Sequence, residues 1–262
     1  MIGAIIGDIV GSIYEFRNIK TKNFSLFDEQ CFFTDDSVMT FAVAKAIMNC
    51  GGDYSKLTKE TIICMQSFGR LYPEAGYGSY FRYWIKSSDP QPYNSFGNGS
   101  AMRVSPCAYA AETLNEVLML AKNTAEVTHN HPEGIKGAQA TAAAIFLART
   151  GKSITEISEY INNNYYRIDF TLDEIRDTYS FNETCQNSVP QALQAFFEST
   201  DFEDAIRNAI SIGGDSDTIA AITGSVAEAY YGVPMDIRNK ALCFLEDDLT
   251  EILVEFYEKY QK

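Results

Sequence analysis

Two aspartate-rich stretches carry the densest chemistry in this chain: Thr34-Asp35-Asp36-Ser37 and Gly213-Gly214-Asp215-Ser216-Asp217-Thr218. Each supplies two carboxylates and a hydroxyl within a few residues. Hard divalent cations such as Mg²⁺ take oxygen ligands in near-octahedral geometry, so two such stretches facing each other can hold one or two ions. Without a cation, four carboxylates in one cleft repel and raise one another's pKa. Each stretch also reads as a helix start, with Thr34 as an N-cap and acids favoured in the first turn by the macrodipole. Spacing alone leaves capping and metal binding both open.

Three further segments add candidates. In Gly7-Asp8-Ile9-Val10-Gly11, Asp8 interrupts an apolar run and is either a ligand-shell residue or a buried hydrogen-bond acceptor. Glu15 follows seven residues later, on roughly the same face of a helix; the alternative is a solvated helix-end carboxylate. The turn Gly97-Asn98-Gly99-Ser100, which leads into Ala101-Met102-Arg103, can offer backbone amides to phosphate oxygens. Phe96 beside it can pack on a base or sugar. The turn equally suits a simple change of chain direction. His129 and His131 are the only histidines; His129 is a candidate contact for phosphate or a metal-bound group, against the alternative of an exposed loop pair.

The elements that must position these residues read as helices. Apolar spacing predicts helices over 36–49, 114–127 and 134–150, with glycines after the first and third. Ser153 with Glu156, and Thr171 with Glu174, match the capping box. Pro190 suits the first turn of a helix over 190–198, Asp201 caps one over 202–210, and 217–231 and 236–260 read as two more. Arg167 to Thr171 is the best strand candidate, and it is short. The stretch 76–99 reads as a long ordered loop, and Trp84 as a core residue. Gly3, Gly7 and Gly11, like Ala140, Ala144 and Ala148, fall on one helical face and predict close helix packing. The expected fold is all-α, in one domain spanning 1–262.

Composition narrows the function classes. The chain has 262 residues, 46% of them hydrophobic, which excludes global disorder. Its 21 basic and 35 acidic residues give a net charge of −14, which disfavours a nucleic-acid partner. The six cysteines form no CxxC pair, so a zinc ribbon is excluded, and their scatter suits buried thiols in a reducing compartment. No basic leader or membrane-length apolar run is present, and the expected location is the cytoplasm.

Taken in order, Gly7-Asp8-x-x-Gly11-Ser12-x-x-Glu15, Thr34-Asp35-Asp36, Gly97 to Arg103, Thr128-His129 and Gly213 to Thr218 resemble the segments of the ADP-ribosylglycohydrolase family. The resemblance spans residues 1 to about 232. It implies an all-α fold with two divalent cations, Mg²⁺ or Mn²⁺, in a cleft. Thr34, Asp35 and Asp36 would hold one ion, Asp215 and Thr218 the other, and Asp217 would bridge them. Glu15 would sit at the centre as a ligand or catalytic carboxylate, with Asp36 as the second candidate catalytic group. Phe96, Gly97, Asn98, Gly99, Ser100, Met102 and His129 would form the ADP-ribose site. The implied substrate is an ADP-ribosylated protein or small molecule. Two rivals stay open: a binuclear phosphoester or nucleotide hydrolase, and a non-catalytic ADP-ribose-binding module.

Overall fold

Polar side chains at the predicted helix starts do what their types dictate. In a computed structural model that describes residues 1–260, the Thr34 hydroxyl accepts from the Asp36 N–H at 3.3 Å and opens a helix over Asp35–Cys50. Gly51 ends it in the left-handed conformation at φ 59°. Both capping boxes form, with Ser153 N–H to Glu156 at 2.9 Å and Thr171 N–H to Glu174 at 2.8 Å. Asp201 accepts from Asp204 N–H at 2.8 Å.

The helices run in the order α1 (Ile2–Gly11), α2 (Asp35–Cys50), α3 (Leu57–Leu71), α4 (Ser79–Lys86), α5 (Gly99–Met102), α6 (Ser105–Ala110), α7 (Leu114–Ala125) and α8 (Pro132–Arg149). They continue as α9 (Ile154–Asn164), α10 (Leu172–Ile175), α11 (Cys185–Phe197), α12 (Phe202–Ser211), α13 (Ser216–Tyr231), α14 (Met235–Leu242) and α15 (Asp247–Tyr260). The described residues contain no β-strand, only an isolated bridge between Gly97 and Thr184. The fold is all-α.

The pair that positions the site is α1 on α13. Every residue of α1 is buried. A Cβ on Gly7 would lie 2.0 Å from the Ala220 carbonyl oxygen, and one on Gly11 would lie 2.4 Å from Asp217 Cα. Only glycine lets two backbones come this close. The contact therefore fixes Asp8, between these glycines, against the start of α13. At the other end of α1, the Met1 ammonium is buried and pairs with Glu228 of α13 at 2.5 Å. Glu228 also accepts from Tyr257 of α15 at 2.5 Å. Around this pair, α13 packs on α8, α11 and α12, while α2 packs on α3, α6 and α15. The alanine stripe of α8, Ala140, Ala144 and Ala148, is buried.

Four predicted elements differ. The helix expected over 190–198 begins at Cys185, because Cys185 N–H donates to Phe96 O at 2.9 Å and anchors an earlier start. Pro190 then sits inside the helix, where burial of Val189 and Leu193 offsets the missing N–H donor. The helix expected over 236–260 is two, broken where Phe244 turns to stack on Phe27 at 5.8 Å. Arg167 to Thr171 finds no partner strand. Within 76–99 lies α4, whose Phe81, Trp84 and Ile85 are buried while Tyr80 and Tyr83 on its other face are exposed. The two exposed tyrosines hide its period.

Candidate active site

The starts of α2 and α13 meet. Thr218 donates its hydroxyl to Asp36 Oδ2 at 3.1 Å, across 182 positions of sequence. Thr34 Oγ1 lies 3.5 Å from Asp217 Oδ2. Ligand oxygens of Asp8, Asp36 and Asp217 all fall within 4.8 Å of one another, as do those of Glu15, Asp215 and Asp217. Asp217 belongs to both groups. Asp35 lines the same cavity beside them, its N–H held by the Ala75 carbonyl at 2.7 Å.

Asp8 acts here as the acceptor that ties α1 to α2. It receives Thr34 N–H at 2.9 Å, Thr34 Oγ1 at 2.7 Å and Ser37 N–H at 3.0 Å, and a fourth bond from the Ser37 hydroxyl. Its carboxylate thus does for the first turn of α2 what a capping side chain does, but from another helix. Asn98 performs a similar service for the other stretch, donating to Asp215 Oδ2 at 2.7 Å.

Among the described residues no basic side chain pairs with these acids. Burial first, then mutual repulsion, pushes Asp35, Asp36 and Asp217 well above the ordinary carboxylate range. Asp215 is pushed up to about 6, chiefly by burial. Glu15, half-buried, is pushed up to about 8 by burial and by Asp217, Asp8 and Glu183. Asp36 Oδ1 is buried without a hydrogen-bond partner among the described residues. An all-oxygen donor set with an orphaned buried carboxylate oxygen fits a hard divalent cation.

The cavity measures about 270 Å³. Acids form one wall: Glu15, Asp35, Asp36, Asp215 and Asp217. Gly97, Asn98, Gly99, Met102, Arg103 and His129 line the same cavity. Of the turn's backbone donors, Gly97 N–H already bonds Ser95 Oγ at 3.1 Å and Asn98 N–H bonds Glu183 O at 2.7 Å. Gly99 and Ser100 keep theirs unengaged among the described residues. Burial and the nearby Arg103 charge hold His129 well below its ordinary pKa, so it is neutral.

Two predicted contacts point elsewhere. Phe96 lies outside the cavity lining, with its ring 5.3 Å from that of His131. The Ser100 hydroxyl is also outside it, donating to the Gly134 carbonyl at 2.7 Å. Thr34 lies beneath the lining, held by Asp8. Conversely, Tyr80, Tyr93, Phe181 and Glu183 line the cavity without having stood out in the sequence. Phe181 and Glu183 come from a motif-poor stretch, and no local signal marks them.

The chain belongs to the ADP-ribosylglycohydrolase family, whose model matches residues 1–262. It is 24% identical to the human ADP-ribosylhydrolase ARH3, over 99% of this chain and 93% of that protein. It is 30% identical to the ADP-ribosylarginine hydrolase Tri1 of Pseudomonas putida, over 57% of this chain and 42% of that protein. A solved structure described as an ADP-ribosylglycohydrolase-related protein complex superposes with a TM-score of 0.73 at 22% identity, covering 98% of this chain and 95% of that one. No helix among the described residues is long and apolar enough to cross a membrane.

Proposed function

We propose that this chain hydrolyses the glycosidic bond joining ADP-ribose to a side chain or small acceptor, with the aid of two divalent cations, Mg²⁺ or Mn²⁺. One observation carries the reading: Asp36 and Asp217, 181 positions apart, share a cavity with the Gly97–Met102 turn and His129. In this reading Thr34, Asp35 and Asp36 hold one ion, Asp215 and Thr218 the other, and Asp217 serves both. Bound ions would anchor ribose hydroxyls and acidify a water.

The chain's own groups account for the rest. Bond cleavage at the anomeric carbon passes through an oxocarbenium-like state, which the acidic wall stabilises. Glu15, with a pKa of about 8, is suited to hold or accept a proton near neutral pH. Asn98 orients Asp215 by its 2.7 Å bond. The free amide of Gly99, with the Arg103 charge, offers donors to the diphosphate. We assign residues 1–262 to one catalytic domain, supported by a continuous core. Six unpaired cysteines support a reducing, cytoplasmic setting.

The test is a release assay with ADP-ribosyl-arginine and ADP-ribosyl-serine peptides side by side, with and without chelator. Free ADP-ribose with intact diphosphate, lost on chelation, is the expected product. AMP or inorganic phosphate would instead support a phosphoester hydrolase. Tight ADP-ribose binding with no turnover on either linkage would support a binding module.

A further inference from the structure

Among the described residues Arg103 is the largest fully buried side chain, and no carboxylate pairs with it. Its Nη2 donates to the Thr124 carbonyl at 3.2 Å and to Thr128 Oγ1 at 2.9 Å. Thr128 is fully buried, and its Oγ1 lies 2.7 Å from His129 Nδ1. A guanidinium only donates, so the Thr128 oxygen is the acceptor in that bond. The hydroxyl keeps one proton to place, and His129 Nδ1 is the acceptor within reach among the described residues. The reverse assignment, with Nδ1–H donating to Thr128, would leave a buried hydroxyl proton without a partner, which is costly.

We propose that Arg103 and Thr128 are positioning residues that lock His129 as its Nε2–H tautomer, aiming a permanent donor at an acceptor oxygen of the bound ligand. The other ring nitrogen has the setting this requires. Nε2 has no protein partner among the described residues, and His129 lines the cavity. A Cβ on Gly99 would stand 3.3 Å from Nε2 and one on Gly97 3.5 Å, so both glycines keep its approach open. Behind the ring, a Cβ on Gly134 would meet His129 Cβ at 3.0 Å, so that glycine lets helix α8 back the imidazole closely. The Arg103 charge polarises the Thr128 hydroxyl, and burial of the ring, with a smaller contribution from the Arg103 charge, disfavours a second proton on the imidazole. The Asp-rich wall is not involved.

The inference rests on the reading of this cavity as an ADP-ribose site only for the identity of the ligand. Its test is long-range ¹H–¹⁵N correlation spectroscopy of histidine-labelled protein, which is simple because the chain has only two histidines. His131→Gln assigns the signals. The wild type is expected to show a pyridine-type Nδ1 and a pyrrole-type Nε2 for His129. A pyrrole-type Nδ1 would overturn the proposal without any further variant at the site. Thr128→Val removes the hydroxyl and keeps the shape. It is expected to lose the single tautomer and weaken ADP-ribose binding by calorimetry about ten- to a hundredfold, the scale of one hydrogen bond to a charged group. Thr128→Ser restores the hydroxyl and is expected to restore both. Unchanged tautomer and affinity in Thr128→Val would overturn the proposal. A wild type with the expected tautomer that fails to bind ADP-ribose would sink the ligand assignment and leave the lock standing.

Discussion

Chelation is the perturbation that bears most directly on the acidic wall. Burial raises Asp215 from an ordinary 3.8 to about 6. A carboxyl whose folded pKa exceeds its unfolded one favours folding when protonated. Its contribution is therefore full below the unfolded value and is lost as pH rises through the folded value. For Asp215 alone that loss amounts to roughly 3 kcal/mol, at about 1.36 kcal/mol per pH unit. Asp35, Asp36 and Asp217 shift in the same direction and add to it. A bound cation offsets these charges. Ligand at about a hundred times its Kd stabilises by about 2.7 kcal/mol, and a chain of this size gains about 2–4 °C per kcal/mol. Saturating Mg²⁺ or Mn²⁺ is thus expected to raise the melting midpoint over the chelated protein by roughly 5–10 °C near pH 7.5. Near pH 5 the gain is expected to shrink to about 2 °C or less, because protons compete for the same oxygens. His129, whose pKa is lowered, favours folding above its ordinary value and works in the opposite sense. It is present in both samples, so the loaded-minus-chelated difference removes it. Differential scanning calorimetry across this pH range reads the quantity directly. A gain of equal size at both pH values, or none at either, would refute the reasoning.

Three other outcomes are expected. Asp217→Ala removes the carboxylate common to both acidic groups; cation-supported turnover should fall by more than about a hundredfold, with helical circular dichroism near wild type. Asn98→Ala removes the 2.7 Å bond to Asp215; isothermal titration should show cation affinity about 10–100-fold weaker, and unchanged affinity would deny Asn98 its orienting part. Gly7→Ala forces a methyl to within 2.0 Å of the Ala220 carbonyl; urea unfolding should show a loss of more than about 3 kcal/mol, whereas a loss below about 1 kcal/mol would mean that α1 and α13 can separate cheaply.

Much of the site was legible because its chemistry is local. Asp35, Asp36, Asp215 and Asp217 sit at helix starts, and helix starts announce themselves through hydroxyls, acids and glycines. The same residues serve as caps, which is why spacing leaves two readings open; what the tertiary structure adds is that the two helix starts meet, with Thr218 donating to Asp36. The sequence offers Asp8 as a ligand-shell residue or a buried acceptor, and four converging donors show that it accepts hydrogen bonds from the start of α2. Phe96 misled because an aromatic next to a glycine turn has two sides to choose from, and the chain turns it toward His131. Phe181 and Glu183 were invisible because nothing near them in the chain marks a cavity wall. The helix α4 was hidden by exposed tyrosines that fill its polar face.

The amino-acid order by itself determined the all-α class, most helix ends and the types of donor gathered at two of those ends. These depend on interactions within a few residues: apolar period, capping hydroxyl, left-handed glycine. Only the tertiary structure decided which ends meet, which face Phe96 presents and how the Arg103–Thr128–His129 chain runs. Those outcomes depend on backbone approach between distant helices, above all the glycine contact of α1 with α13. Such an approach is set by the packing of the whole core, and no window of sequence contains it.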